Sequence, residues 1–145
     1  MSEFKPVDEH FERRVRDSFA SQEFMKTLGA RLTRVEPGLA ELELDFSPKL
    51  TQQHGYAHAG AITTIADNAC GYAAYSLMPA KSEVLSVEFK VNFLAPAKGW
   101  RFVATGRVVK PGKTLTVCSA EVHAQDDSET RLIFIMQATM ICIPK

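Results

Sequence analysis

The sequence predicts an α+β fold in which an antiparallel β-sheet wraps around one long, buried helix, with short helices ahead of it. Two stretches carry that prediction. From His58 to Met78 the chain reads HAGAITTIADNACGYAAYSLM, a helix-length run of small and apolar residues with Asp67 as its only carboxylate and no Lys or Arg. Such a run suits a helix covered on most sides. From Leu85 to Phe93, apolar Leu85, Val87, Phe89, Val91 and Phe93 alternate strictly with Ser86, Glu88, Lys90 and Asn92, which is the period of a strand.

The other elements follow in chain order. Val7, Phe11, Val15 and Phe19 recur every fourth residue with charges between them, predicting an amphipathic helix. A second short helix is expected over residues 22–28, with Ser21 as N-cap and Gly29 just past its end. Together these helices pack on the sheet or cover one end of a pocket. Leu32 to Val35, a Glu36-Pro37-Gly38 turn, and Ala40, Leu42, Leu44 and Phe46 alternating with acidic residues predict a hairpin with one wet face. The central helix starts near His58 after Gly55 and stops at Pro79. Beyond the 85–93 strand, Trp100, Phe102, Ala104, Gly106 and Val108 mark another, and a Lys110-Pro111-Gly112-Lys113 turn leads into Thr114 to Ala124. Leu132 to Ile143 is apolar on both parities, which places it centrally in the sheet or at a subunit contact.

Composition narrows the function. At 145 residues the chain is one domain by size, residues 1–145, with residues 1–29 as its helical lead-in and 30–143 as its core. Seventeen Lys and Arg balance seventeen Asp and Glu, which argues against nucleic-acid binding through an overall positive field. The first ten residues, MSEFKPVDEH, lack the basic-then-apolar order of a secretory signal. Cys70, Cys118 and Cys142 are widely spaced and odd in number, fitting reduced core thiols in a cytoplasmic protein better than disulfides or a zinc site. The central run has the length of a membrane span, but Asp67, Asn68, Thr63, Thr64 and two tyrosines argue against one.

The central helix also carries the candidate chemistry. Gly60 and Asp67 are seven residues apart, so they share a face and stand about 10 Å apart along the axis. One small reacting group cannot touch both. The helix start offers free N–H groups and the positive end of the dipole for a developing oxyanion, while Asp67 offers a base or nucleophile. Two such helices meeting antiparallel across a two-fold axis would bring each Asp67 opposite the other chain's helix start.

The segments QQHGYAHAGAITTIADN (Gln52 to Asn68), SVEFKVNFLAPA (Ser86 to Ala97) and GRVVKPGKTLTVCSAEV (Gly106 to Val122) resemble the hotdog-fold acyl-CoA thioesterases of the phenylacetate (PaaI-like) type. The resemblance implies a hotdog fold, a homodimer that pairs into a dimer of dimers, and hydrolysis of a coenzyme A thioester without a metal or cofactor. It implies that Asp67 is the catalytic carboxylate, that the N–H groups of Ala59 and Gly60 polarise the thioester carbonyl from the opposing subunit, and that Gly55 and His58 shape that helix start. Ser86 matches a position where some relatives use Ser or Thr to hold the water or the carboxylate. Strand parity sets Ser86 opposite Val87 and Phe89, so reaching the helix requires a twist, a bulge or the dimer cleft. Two departures stand out: Ala59 replaces a common glycine, and Gln52 replaces a common asparagine, one methylene shorter.

The same residues admit other readings. A lone buried Asp can be structural. His54 and His58 have the i, i+4 spacing of metal ligands but no third ligand at an informative distance. Phe89, Phe93, Tyr56, Tyr72 and Tyr75 are candidates for an aromatic or aliphatic acyl pocket, or for plain core. Lys90, Lys98, Arg107, Lys110 and Lys113 are candidates for the coenzyme's phosphates. A hydratase on the same fold would use a catalytic His paired with an acid in a differently composed loop, a pattern not matched here. A non-catalytic acyl-CoA-binding module is the rival from another class.

Overall fold

The computed structural model describes residues 2–145. Two short helices, α1 (Phe11–Ala20) and α2 (Glu23–Leu28), precede β1 (Arg31–Glu36) and β2 (Leu39–Asp45). Then come a 3-10 turn (Pro48–Leu50), the long helix α3 (Ala59–Tyr75), and four strands: β3 (Ser82–Phe93), β4 (Arg101–Lys110), β5 (Leu115–Gln125) and β6 (Thr130–Pro144). The strands form one six-stranded sheet in the order β1-β2-β4-β5-β6-β3, antiparallel at every pairing. This is the predicted α+β architecture, a sheet wrapped around a central helix. The doubly apolar segment is β6, flanked on both sides by strands.

Small residues explain how the helix lies on the sheet. Ala66, Ala69, Cys70 and Ala73 of α3 are fully buried, and their short side chains let the helix backbone descend onto β4. At Gly106 the approach is so close that a Cβ would stand 2.3 Å from the Ala69 carbonyl carbon and 2.6 Å from the Cys70 nitrogen. Around this contact the core is filled by Leu42, Leu44, Phe102, Val122 and Phe134 from the sheet and by Ile62 and Ile65 from the helix.

The edge strand β3 departs from its strict alternation. Ser86 pairs with Met140 but Glu88 pairs with Thr139, so Val87 is the extra residue of a β-bulge. Before the bulge Val84 and Ser86 lie on the helix side; after it Phe89, Val91 and Phe93 do, opposite buried Ala138, Met136 and Phe134. The apolar set read as one face is therefore split, and Leu85 is 57% exposed. Phe89 and Phe93 are 45% and 54% exposed although they are on the helix side, because a single helix does not reach over them.

The N-terminal segment braces the far end of α3. The Arg14 guanidinium donates to the Tyr75 carbonyl (3.2 Å), which also accepts the Met78 N–H, and to the Met78 carbonyl (2.8 Å) just past the end of α3. It also stacks on the Tyr75 ring at 4.2 Å and pairs with Asp8 at 2.8 Å. That ion pair, with the His10 backbone N–H, holds the Asp8 carboxyl below the usual range. Three expectations change here. Val7 lies outside α1 and is 75% exposed, since Asp8 takes up the preceding turn by accepting from the His10 N–H. The N-cap of α2 is Gln22 rather than Ser21, because the Ser21 hydroxyl turns back to the Ser18 carbonyl at the end of α1. The long helix ends at Tyr75 rather than Met78, its last carbonyls taken by turns and by Arg14.

The Gly106 contact gives a direct test. Gly106→Ala should cost about 2–3 kcal/mol through overpacking against main chain that cannot swing aside, which for this chain length lowers the thermal midpoint by about 7–10 °C. A melt followed by circular dichroism reads the effect.

Candidate active site

The loop before α3 is built to present the helix start. The Gln52 N–H donates to the Tyr56 carbonyl and the Gly55 N–H to the Gln52 carbonyl, and Gly55 adopts a φ of 85°, a left-handed conformation that glycine takes without strain. The Gln52 side-chain oxygen accepts from the N–H groups of His54 (2.5 Å) and Tyr56 (3.3 Å). Gln52 thus holds the turn with its oxygen, while its amide nitrogen finds no protein acceptor among the described residues. His58 is the N-cap of α3, with φ −63° and ψ 139°, and its Nδ1 accepts the Gly60 N–H at 2.8 Å. A ring nitrogen that accepts is unprotonated, so this cap requires neutral His58 with its proton on Nε2.

These bonds sort the two predicted oxyanion donors. The Gly60 N–H is engaged by His58, and the N–H groups of Ala61 and Ile62 point to the His58 carbonyl. The Ala59 N–H has no acceptor among the described residues. Ala59 and Gln52 line a cleft of about 480 Å³ with Tyr56, Phe93, Leu94 and Ile133 among its walls.

Asp67 sits two turns further along α3, half-buried, and its Oδ1 accepts the Ser86 hydroxyl at 2.7 Å. The β3 bulge makes this contact: it sets Ser86 on the helix side together with Val84, then hands that side to Phe89. Burial pushes the Asp67 carboxyl above the usual carboxylate range, and the Ser86 hydrogen bond partly offsets the rise. Asp67 and Ser86 line a second cleft of about 280 Å³, shared with Ser18, Gln22, Asn68, Gly71, Tyr72 and Met140.

One chain therefore brings the predicted residues together in two groups. Gln52, Gly55, His58, Ala59 and Gly60 assemble at the helix start; Asp67 and Ser86 assemble about 10 Å along the axis, in a different cleft. Of the aromatic candidates, Tyr56 and Phe93 line the first cleft and Tyr72 the second. Tyr75 is core, its hydroxyl donating to the Ser82 carbonyl. None of Lys90, Lys98, Arg107, Lys110 and Lys113 lines either cleft. Cys70 and Cys118 are fully buried, and burial pushes both thiols up, Cys118 to about 12, so neither is an activated nucleophile.

Ser18, Gln22 and Asn68, none of them singled out by the sequence, complete the second cleft around Tyr72. Gln22 Nε2 donates to Asn68 Oδ1 (2.8 Å) and to the Tyr72 hydroxyl (2.6 Å), and the Ser18 and Tyr72 hydroxyls are 3.2 Å apart. The available signal was the i, i+4 pair Asn68 and Tyr72, two polar groups one turn apart on a helix made mostly of small and apolar residues. Their partners lie 46 and 50 residues away in sequence, and no local pattern announces them.

Comparison with known proteins agrees with the geometry. The family model described as thioesterase superfamily matches residues 54–130. The fold superposes on a thioesterase family protein from Silicibacter pomeroyi with TM-score 0.92 and 52% identity, covering 93% of this chain and 99% of that one. It also superposes on the PaaI protein of the Escherichia coli phenylacetic acid degradation operon with TM-score 0.84, at 19% identity over 94% and 96% of the two chains, a likeness of fold. A 1,4-dihydroxy-2-naphthoyl-CoA hydrolase of Listeria monocytogenes is 28% identical over 79% of this chain and 91% of its own. A medium/long-chain acyl-CoA thioesterase of Salmonella typhimurium is 25% identical over 80% and 81%. With more than half of its length matched by the family and its sheet, helix and loops in the family's arrangement, the chain belongs to the thioesterase superfamily, as a hotdog-fold thioester hydrolase.

Proposed function

We propose that this protein hydrolyses acyl-CoA thioesters as a homodimer whose two active sites each draw on both chains. The observation that carries the reading is the separation just described: Asp67 with its Ser86 hydrogen bond in one cleft, and the free N–H of Ala59 in the other. Neither half suffices alone, and a two-fold axis supplies the missing half to each. Asp67 either takes a proton from the attacking water or attacks the carbonyl itself, forming a mixed anhydride that water then cleaves. In both routes the Ala59 N–H and the positive end of α3 stabilise the tetrahedral oxyanion, and coenzyme A leaves as the thiol. The coenzyme A ester is supported by the relatives of Listeria and Salmonella, whose names specify CoA thioesters.

Surface features support the assembly. Ala59, Gly60, Thr63, Thr64 and Asp67 form the stripe of α3 that the sheet does not cover, and the adjacent edge strand β3 exposes Phe89 and Phe93 beside it. A second copy of the same helix and edge covers both. On the other side of the sheet, Leu85, Leu115 and Ile143 are 57%, 50% and 38% exposed, a face suited to joining two dimers. No helix among the described residues is long and apolar enough to cross a membrane. The three free cysteines support a reducing, cytoplasmic setting.

The sharing of sites is testable with one unusual substitution. Ala59 is the first helical residue, a position that tolerates proline, and His58 has the extended conformation that precedes one. Ala59→Pro should therefore remove the N–H while keeping the helix, reducing kcat by about 10²–10³-fold. Asp67→Asn should be at least as disabling with an unchanged or raised thermal midpoint, since a buried charge is removed and the Ser86 hydroxyl keeps an acceptor. Unfolding and refolding the two inactive variants together at equal concentration should restore about a quarter of parental activity: half of the dimers are mixed, each with one intact site. Continued inactivity of the refolded mixture would contradict shared sites, and near-normal hydrolysis by Asp67→Asn would remove the carboxylate from the mechanism.

The pH profile supplies a second test. Asp67 must be ionised to act, so activity is present above its pKa and lost as pH falls through it. Because burial raises that pKa, the acid limb of kcat/KM should lie above the ordinary Asp value of about 3.9. Ser86→Ala deletes the hydrogen bond that pulls it down, so the limb should move to higher pH. An unmoved limb would mean that Ser86 does not hold the reacting carboxylate.

A further inference from the structure

We infer that Gln22 and Gly71 set the size of the acyl group this enzyme accepts, restricting it to short-chain or single-ring acyl thioesters. The inference rests on the reading of Asp67 as the reacting carboxylate.

Gly71 lies one helical turn beyond Asp67 on the same face of α3. A Cβ placed on it would meet nothing within 4 Å, so the helix leaves an open slot directly alongside the carboxylate. Glycine is otherwise a poor choice in a helix interior, and the packing of α3 on β4 does not call for it. Val84 and Met140 line the same cleft, giving it apolar walls of the kind an acyl group requires.

One side of the slot, level with the turn from Asp67 to Gly71, is closed by the N-terminal helices. Gln22 reaches over from the start of α2, and both hydrogens of its amide are committed, one to Asn68 Oδ1 and one to the Tyr72 hydroxyl. Ser18 of α1 supports the same hydroxyl. Two bonds to positions i and i+4 of one helix pin the side chain across the slot. An acyl group too large for the space beside Gly71 would have to push Gln22 aside, stripping partners from Asn68 and from Tyr72, which is only 5% exposed. Within one chain this cleft measures about 280 Å³, and in the proposed dimer the thioester carbonyl itself reaches to the partner's helix start. Ser18 and Gln22 lie outside the residues matched by the family model, 54–130, so this wall comes from the chain's own N-terminal segment rather than from the shared motif.

The test is a substrate panel of acetyl-, benzoyl-, octanoyl- and dodecanoyl-CoA, with kcat/KM measured for the parent, Gln22→Ala and Gly71→Ala, and with thermal melts to confirm folding. Gly71→Ala introduces the better helix former into open space, so it is expected to fold. The parent should favour acetyl- or benzoyl-CoA over dodecanoyl-CoA. Gln22→Ala should raise the octanoyl-to-acetyl ratio by about tenfold or more, and Gly71→Ala should lower the benzoyl-to-acetyl ratio by about tenfold. A parent that prefers dodecanoyl-CoA, or a variant that scales the whole panel by a single factor, overturns the assignment. Asp67→Asn on the same panel separates the two readings. Its residual turnover tests the carboxylate, whereas the parent's size profile tests the wall.

Discussion

Everything else in this molecule depends on how closely α3 lies on β4. Main chain meets main chain at Gly106, with Ala69 and Cys70 directly above it. So close an approach is available only where one partner lacks a side chain and the other carries alanine-sized ones. The face of α3 toward the sheet is accordingly Ala66, Ala69, Cys70 and Ala73. The opposite stripe, from Ala59 to Asp67, is left at the surface of the single chain. A thicker helix–sheet interface would lift this stripe and carry Asp67 away from Ser86. The packing contact and the candidate chemistry are thus two faces of one geometric choice.

Asp67 has a modest electrostatic environment. Its hydrogen-bond partner is a neutral hydroxyl, and burial outweighs that bond in setting its acidity. The carboxyl sits mid-helix, far from the dipole ends of its own helix, whose influence fades within a turn. In the proposed dimer the positive end of the partner helix faces it, bringing an oxyanion donor and a favourable field to one place. The same reasoning gives His58 its role. By accepting the Gly60 N–H it orders the first turn and leaves Ala59 as the donor without an internal partner.

The bulge at Val87 lets one strand do two things. Upstream of it β3 directs Ser86 to the Asp67 carboxylate; downstream it directs Phe89 and Phe93 to the same side but beyond the reach of α3. An exposed apolar edge strand is normally an aggregation hazard. Here it lies beside the open stripe of the helix, so that a single partner surface covers both.

Much of this was determined by sequence alone. The run from His58 to Met78, with one carboxylate and no Lys or Arg, and the alternating strands around it specify a buried helix under an antiparallel sheet, because burial and period are local properties of residue type. The seven-residue spacing of Gly60 and Asp67 likewise dictates, through the helical rise alone, that one chain cannot join them. Tertiary structure decided the rest. Strict alternation from Leu85 to Phe93 concealed the bulge, since inserting one residue depends on the pairing strand β6 and not on β3 itself. Which N–H stays free at the start of α3 depends on the rotamer of His58. The Gln22–Asn68–Tyr72 bridge joins residues nearly fifty positions apart, and a contact at that separation exists only once the sheet has brought the N-terminal helices against the central one.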